Sequence, residues 1–287
     1  MFTPEKNFED WSIGGFAGVA AYLFKTIDST HSYMRRQALA GQVKPGSLVV
    51  ADCQSAGRGR HDRTWASPEG KNLYFNLLIP LEGIPLGSTP QLTQVAALTF
   101  AEIFRGLEPS INNNCSPEPR QTQGTHVTVK WPNDILYGKS KFCGILAEVV
   151  PVPIPALNLG VGVNVNSDPG EYGFLNRSVT TLKSIAGRPV NREKLLQALV
   201  GNLERALGQF KAFGISPWVD SWRKMDQFIG TRGTLVINNN CTDENRNSGE
   251  GSLKKAGVIL DMNPDGSLLF KTDEGEIRTV YSADLEI

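Results

Sequence analysis

Apolar residues recur along the chain with two different periods, and the change between them predicts a protein that mixes helices with strands. Helical spacing is clearest in residues 90–107 and 191–213, where apolar side chains return every three or four positions. Shorter runs rich in β-branched residues predict strands at 47–52 and 72–79, and again in VTVKW, FCGILAEVV and LNLGVGVNV. The pattern predicts a sheet backed by long helices.

Polar residues mark where some of these helices begin. Residues 31–40 predict a further short helix, and Asn191 is placed to cap the helix that follows it. Ser216 and Pro217 predict the start of another helix, with the serine as its cap and the proline in its first turn.

From about residue 231 onward only short strand patterns occur, joined by NPDG and DEGE turns. We therefore predict two domains, a larger one over residues 1–229 and a small β-barrel over residues 230–287. Two stretches rich in Asn, Ser and other polar residues, 109–126 and 238–252, predict surface insertions, because they offer almost nothing to bury.

Composition and charge narrow the class of protein. Of the 287 residues 40% are hydrophobic, and 29 basic residues balance 29 acidic ones, which argues against binding long nucleic acid through the overall field. The four cysteines form no C-x-x-C pair, so neither a zinc site nor a disulfide framework is predicted, and a reducing cytoplasmic location is the expectation. The apolar stretch 11–24 is too short to span a membrane, so no membrane association is expected.

The first candidate site follows the strand at 47–52, in the segment GRGRHDRTW. Its glycines permit unusual backbone angles and close approach to a ligand, while its arginines are planar donors suited to phosphate and carboxylate oxygens. Trp65 is placed to cover an apolar or aromatic part of the same ligand. From this segment alone, a solvated arginine-rich loop or a nucleic-acid contact remains an equal alternative.

The second candidate site is the segment KWPNDILYGKSK. Polar and charged residues crowd a turn between two strands, and the turn is fixed by Pro132 and Gly138. Alone, this segment also fits a salt-bridged hairpin, with Trp131 in the core and Lys139 in solvent.

Together these segments resemble a known family. GRGRHDRTWASPEGKNLYFNLL, KWPNDILYGKSKFCGILAEV and LNLGVGVNVN, with DST at 28–30, look like the signature segments of biotin protein ligases in the same order, over residues 28–166. The resemblance implies an α+β fold. Its mixed β-sheet with flanking helices would be similar to class II aminoacyl-tRNA synthetases and lipoate ligases, and a small C-terminal SH3-like β-barrel would follow.

The resemblance also implies a reaction in two steps. Biotin and ATP, with Mg²⁺ held through the ATP phosphates, would give biotinyl-5′-AMP, and biotin would then pass to a lysine of a biotin-accepting carboxylase domain, forming an amide bond. The monofunctional form is expected, with no DNA-binding domain and no nucleic-acid partner, and a homodimer is left open. A lipoate-attaching relative and an adenylate sensor without transfer activity are the alternatives.

By the same resemblance, individual residues receive roles. The biotin side would be formed by Ser29, Thr30, His31, Gln54, Gly57, Arg58, Gly59, Arg60, Lys141, Gly144, Gly160 and Gly162. The nucleotide side would be formed by Arg58, Arg60, Arg63, Trp65, Lys130, Asn133, Lys141 and Asn164, and the catalytic groups would be Lys141, Asp134 and Arg60. No metal-ligating residue is assigned. His31 stands where many bacterial relatives carry Asn, which leaves its hydrogen bond to biotin open.

Overall fold

The computed structural model describes residues 20–61, 63–109, 126–175, 177–237 and 253–287. Five α-helices are present in these ranges: α1 Thr30–Leu39, α2 Thr89–Arg105, α3 Leu182–Ala186, α4 Arg192–Phe213 and α5 Ser216–Met225. The strands are β1 Ala21–Ile27, β2 Leu48–Gln54, β3 Leu73–Pro80, β4 Val127–Lys130, β5 Asp134–Tyr137, β6 Ser140–Val150, β7 Ala156–Val163, β8 Arg232–Ile237, β9 Leu253–Met262, β10 Leu268–Thr272, β11 Ile277–Val280 and β12 Asp284–Glu286.

The first seven strands form one mixed sheet in the order β1-β2-β3-β7-β6-β5-β4. The β1–β2 pair is parallel, and the other neighbours are antiparallel. In the middle of the sheet Gly160 of β7 pairs with Asn76 of β3, and Gly162 of β7 pairs with Gly144 of β6. These strand partners lie at the centre of the cleft described below.

Helices cover both faces of this sheet, because its central strands are apolar on both sides. Leu48 and Val50 of β2 point into the larger core with α2 and α4, whereas Val49 and Ala51 point into a smaller core with α1. The helix α1 begins where the Ser29 hydroxyl accepts a hydrogen bond from the backbone N–H of Ser32. The predicted α+β fold is confirmed.

The C-terminal strands form a second, antiparallel sheet in the order β11-β10-β9-β8-β12, which is consistent with an SH3-like domain. Its apolar residues, including Leu235 and Phe270, belong to the larger core. The Gly266 carbonyl accepts hydrogen bonds from Gln94 Nε2 at 2.7 Å and from Trp131 Nε1 at 3.1 Å. The turn between β9 and β10 is therefore hydrogen-bonded to α2 and to the residue that follows β4, and the boundary at residues 229 and 230 stays a prediction.

Most predicted elements are present, with differences of detail. Asn191 caps α4 as predicted, since its side chain accepts from Lys194 N. Ser216 as a helix cap is wrong: α5 already includes Ser216, and its cap is the buried Ile215, whose carbonyl accepts from Trp218 N at 2.9 Å. The strands β1, β5 and β12 were not predicted as such, and most of both insertions (109–126 and 238–252) lies outside the described residues.

Within those described ranges, no helix is both long and apolar enough to cross a membrane.

Candidate functional site

A cleft lies over the middle of the main sheet, between the start of α1 and the loop that joins β2 to β3. All but three of the site residues predicted from the sequence line it. The predicted residues that line the cleft are Ser29, Thr30, His31, Gln54, Arg58, Gly59, Arg60, Arg63, Trp65, Asn133, Asp134, Lys141, Gly144, Gly160 and Gly162. The fold thus brings the separate sequence segments together around one cavity.

One end of the cleft is a pocket of small polar groups at the start of α1. Gln54 Oε1 accepts from the backbone N–H of Thr30 at 2.9 Å and from its hydroxyl at 3.0 Å, while Gln54 Nε2 donates to Ser67 Oγ at 2.9 Å. These bonds fix the Gln54 amide in one orientation. Hydroxyl and amide groups are therefore held where a small polar ring can bind.

His31 forms the buried wall of this pocket. Its Nε2 atom lies 3.1 Å from Glu148 Oε2, and its Nδ1 atom lies 3.1 Å from Asn76 Nδ2. The pKa of Glu148 is lowered, first by the hydrogen bond from His31 and also by the one from Arg35, so its carboxylate stays charged. Both ring nitrogens of His31 are thus engaged by the protein.

The arginine-rich loop is a tight, closed hairpin. Trp65 N donates to Gly57 O at 2.9 Å, and Gly59 N donates to Arg63 O at 2.6 Å. Among the loop residues that the structure describes, only His61 has a positive φ. A Cβ on Gly57 would lie 2.5 Å from the Trp65 carbonyl. Unusual backbone angles at Gly57 and Gly59 were expected and are not found; close backbone approach is the reason for glycine at position 57.

The cations of this loop converge on one carboxylate of the C-terminal sheet. Asp284 Oδ2 lies 2.7 Å from Arg63 Nη2, and Asp284 Oδ1 lies 3.4 Å from Arg60 Nη1 and 3.5 Å from His61 Nε2. Arg60 Nη2 also donates to the carbonyl of Ala283 at 3.2 Å. The loop that covers the cleft is therefore fastened to β12.

Lys141 lies at the centre of the cleft. Its Nζ atom donates to Asp134 Oδ1 at 2.6 Å and lies 5.5 Å from the centre of a Trp65 ring, within cation–π range. A Cβ on Gly144 would come within 3.0 Å of both the Lys141 amine and the Trp65 ring. The geometry presents one ammonium and one carboxylate side by side at the cavity surface.

Gly57, Lys130 and Asn164 do not line this cleft. Asn164 lines a small adjoining cavity that also contains Trp65 and Lys141. Lys130 lies behind Asp134, with its Nζ atom 5.9 Å from the centre of the Phe228 ring, and burial lowers its pKa. Asn164 and Lys130 therefore lie next to residues of the cleft without lining it, and Gly57 belongs to the loop that covers it.

A buried network holds Asn164. Tyr172 Oη donates to Asn164 Oδ1 at 3.2 Å and accepts from Asn72 Nδ2 at 2.7 Å. Burial raises the pKa of Tyr172, so its hydroxyl stays protonated and remains a donor. Asn164 is thus held with its N–H₂ group pointing away from Tyr172. Among the described residues, this group makes one hydrogen bond, a long one of 3.4 Å from Nδ2 to the Thr180 carbonyl.

Sequence reasoning missed several residues that line the cleft. Asn76, Arg177 and Asp284 all contribute to it, and each comes from a segment outside the motifs or from an unremarked position within one. A polar residue within the apolar run NLYFNLLI was the one available signal for Asn76, because a buried strand rarely carries an unpaired amide. Nothing local marked Arg177 or Asp284.

Among the described residues, no three His, Cys, Asp or Glu side chains come close enough together to form a metal site.

Comparison with known proteins identifies the family. The sequence pattern of the biotin/lipoate A/B protein ligase family matches residues 23–166, half of the chain. The chain belongs to the biotin/lipoate A/B protein ligase family.

Individual members of the family match over most of the chain. The bifunctional ligase/repressor BirA of Bacillus subtilis is 32% identical over 84% of this chain and 66% of its own length. The biotin--[acetyl-CoA-carboxylase] ligase of Paracoccus denitrificans is 29% identical over 83% of this chain and 92% of its own length. Among solved structures, the biotin protein ligase of Aquifex aeolicus in complex with biotin and ATP is similar with a TM-score of 0.69 and 25% identity, covering 93% of this chain and 97% of that one.

Proposed function

We propose that the chain is an ATP-dependent biotin protein ligase, which forms biotinyl-5′-AMP from biotin and MgATP and transfers biotin to a lysine of an acceptor protein. One observation carries the proposal. The cleft joins a pocket of hydroxyl and amide groups to the Lys141 ammonium and the arginine loop, in a chain similar to a ligase solved with biotin and ATP. That arrangement suits a polar ring at one end and developing negative charge at the other.

In this proposal the polar pocket holds the ureido head of biotin. Ser29, Thr30 and Gln54 supply hydroxyl and amide groups at fixed positions. Gly160 and Gly162 add no side chain of their own to the floor, and the Trp65 ring packs over Gly162, so the valeryl arm of biotin would lie along β7 beside this ring, toward Lys141.

The first chemical step activates a carboxylate, which is a poor electrophile until adenylation gives it a leaving group. Carboxylate and phosphate repel each other as they meet, so cations are required between them. Lys141 and the loop arginines Arg58 and Arg60 line the cleft at this point, and Gly57 and Gly59 shape the loop. Lys141 would exchange its contact with Asp134 for the biotin carboxylate.

The nucleotide would lie beside Trp65. The N–H₂ group of Asn164 is available as a donor to a ring nitrogen of adenine, because Tyr172 engages its oxygen. Arg63, Lys130 and Asn133 provide further positive or polar groups near the phosphates, and Mg²⁺ would enter with ATP on the phosphate oxygens.

The second step needs a neutral amine. A lysine with a pKa of about 10.4 must lose its proton at pH 7, which costs on the order of 4.6 kcal/mol. Asp134 lies at the cleft surface and is placed to orient the incoming ammonium and to accept its proton late in the transfer. Its present partner, Lys141, pairs with this carboxylate until biotin enters the cleft, which leaves Asp134 free to meet the acceptor lysine.

The acceptor is a biotin-accepting protein, and we propose more specifically a carboxylase domain and a cytoplasmic reaction. The proposal includes no nucleic-acid partner and leaves a homodimer open.

A transfer assay tests the proposed function. The purified chain is incubated with MgATP, a biotin-acceptor domain and either labelled biotin or labelled lipoate. We expect biotin-dependent release of pyrophosphate and label on the acceptor from biotin alone. Label from lipoate but not biotin would contradict the substrate assignment, and tightly bound adenylate without transfer would make the chain a sensor.

A further inference from the structure

Asn76 lies at the biotin end of the cleft, and the mechanism above does not use it. It belongs to β3, is 1% exposed, and pairs across the sheet with Gly160, whose missing Cβ would lie 3.1 Å from Asn76 Oδ1. This Oδ1 atom is buried and has no hydrogen-bond partner among the residues that the structure describes. Buried acceptors are nearly always satisfied in native proteins, so a missing donor is implied.

The orientation of the Asn76 amide is fixed by Asn158, which faces it with an oxygen that can only accept a hydrogen bond. Asn158 Nδ2 donates at 3.0 Å to the backbone carbonyl of His31, which has no proton to give. Asn158 therefore turns its Oδ1 atom toward Asn76, and the contact of 2.7 Å there must be a hydrogen bond donated by Asn76 Nδ2. The oxygen of Asn76 is thereby left on the other side of the amide.

A second neighbour enforces the same orientation. His31 Nδ1 lies 3.1 Å from the same Asn76 Nδ2 atom and must accept from it, which places the ring proton on Nε2. Nε2 faces the Glu148 carboxylate at 3.1 Å, and Arg35 Nε holds that carboxylate at 2.9 Å. The series Arg35, Glu148, His31 therefore uses one N–H bond of the Asn76 amide, and Asn158 uses the other.

We infer that Asn76 is a specificity-determining residue, whose Oδ1 atom accepts a hydrogen bond from a ureido N–H of biotin. The inference rests on the proposed function and adds to it a reason for choosing a cyclic urea. The dithiolane ring of lipoate has no N–H, so binding it would leave the Asn76 oxygen buried and unpaired.

The variant Asn76→Leu removes the acceptor at nearly constant volume and tests this role. We expect the Kd for biotin to rise about 10- to 100-fold, because a ureido N–H is then left unpaired. The kcat for adenylate formation at saturating biotin and the KM for ATP should stay within about twofold. Asn202→Leu, on the remote helix α4, is the matched control and should leave the Kd for biotin unchanged.

Analogues of biotin separate this hydrogen bond from general packing. In two lactam analogues, one or the other ureido N–H is replaced by CH₂. The wild-type chain should bind one of the two at least about tenfold more weakly than biotin, and Asn76→Leu should lose that discrimination. Equal binding of biotin and both lactams by the wild type, or an unchanged Kd in Asn76→Leu, would overturn the inference.

Glu148→Leu tests whether the series orients the Asn76 amide. Glu148 is partly exposed, so this substitution should disturb folding less than one at a fully buried residue. We expect ¹⁵N spectra to show His31 protonated on Nε2 in the wild type and partly on Nδ1 in the variant, with biotin bound about three- to tenfold more weakly. Protonation on Nδ1 in the wild type would refute the series. An absence of biotin-dependent pyrophosphate release by the wild type would overturn the proposed function and this inference together, whereas the results above overturn the inference alone.

Discussion

At the scale of single residues, Lys139 and Lys141 are close in sequence but differ in exposure and in their distance from the cleft. Both belong to the segment YGKSK, and along the chain only the family resemblance separates them. The structure leaves Lys139 exposed in a turn, whereas Lys141 is 19% exposed and faces Asp134 in the cleft. Lys139 belongs to the turn that precedes β6, whereas Lys141 lies on β6, where it pairs with Leu136 beside the bulge between β5 and β6.

Lys141→Ala should therefore lower kcat/KM for adenylate formation by roughly 10²-fold or more, because the ammonium that is proposed to neutralise the reacting carboxylate and phosphate is lost. Lys139→Ala is the matched control and should remain within about twofold of the wild type. Biotin-dependent pyrophosphate release measures both. An unchanged rate in Lys141→Ala would remove this residue from the site.

The buried carboxyl group of Asp226 should make the free energy of unfolding depend on pH. Asp226 lies at the end of α5, where it accepts from Trp222 Nε1 at 3.1 Å and from Phe228 N at 2.9 Å. Burial raises the pKa of Asp226 to about 6 from the ordinary value of 3.8. Between these pH values the folded chain holds a proton that the unfolded chain has lost, so stability falls as pH rises.

The free energy of unfolding should accordingly lose about 3 kcal/mol through Asp226 between pH 4 and pH 7. Asp226→Asn cannot ionise and should lack this component, although it loses one acceptor atom. Urea unfolding of both chains at several pH values measures the difference. Parallel pH profiles for the two chains would show that Asp226 is not the group responsible.

At the scale of elements, the floor of the cleft is a row of strand partners across the sheet. Asp134 of β5 pairs with Gly144 of β6, which pairs with Gly162 of β7. A Cβ on Gly162 would lie 2.4 Å from the Trp65 ring, so the glycines admit the indole as well as a ligand. Three strands thus cooperate to make a surface that none of them shows alone.

Gly162→Ala should displace Trp65 and weaken binding of biotin and ATP by about tenfold or more, since the added methyl meets a ring and the sheet backbone cannot move away. Gly201→Ala is the control: a Cβ there meets no atom within 4 Å, and alanine in a helix should stabilise the chain by about 0.5–1 kcal/mol. Calorimetric binding and thermal unfolding measure the two effects. Full ligand affinity in Gly162→Ala would show that Trp65 does not need its present position.

At the scale of the whole molecule, the C-terminal sheet holds the loop that covers the cleft. Asp284 is largely buried and bridges Arg60 and Arg63, which belong to a loop more than two hundred residues earlier. The same arginines are the proposed phosphate ligands. The carboxylate therefore keeps the cations together over the cleft, in place of a phosphate, before ATP arrives.

Asp284→Asn should release biotinyl-5′-AMP several-fold faster than the wild type, because the loop loses its charged anchor and opens more often. Arg60→Gly should release it faster still, since it removes the contacts of Arg60 with Asp284 and Ala283 as well as a proposed phosphate ligand. Label on bystander lysines reports the escaped anhydride. Asp273→Asn, which removes an exposed ion pair with Arg232 in the same sheet, is the control, and release from Asp284→Asn no faster than from this control would contradict the anchoring role.

The fold class and most of the residues of the cleft were predictable from the sequence, because each pattern or motif that indicates them lies within one continuous segment. The apolar periods of β2, β3, β7, α2 and α4 follow from which faces each element buries, so a single segment suffices to reveal them. The short strand β12 was not predicted, since three residues carry too little pattern and depend on pairing with β8. The cap of α5 was wrong because a buried apolar contact at Ile215, rather than a side-chain hydrogen bond, fixes the junction.

By itself, the sequence determined the kinds of groups in the cleft: the arginine loop, Lys141, Asp134 and the glycines, all within motifs that can be read along the chain. Only the tertiary structure decided which groups meet. The contact of Asp284 with Arg63, and the hydrogen bonds of Asn76 with Asn158 and His31, join residues far apart in sequence. Such pairings depend on sheet order and register. Hydrogen bonds and ion pairs act over a few ångströms in space, and their strength does not depend on how far apart the two residues are along the chain.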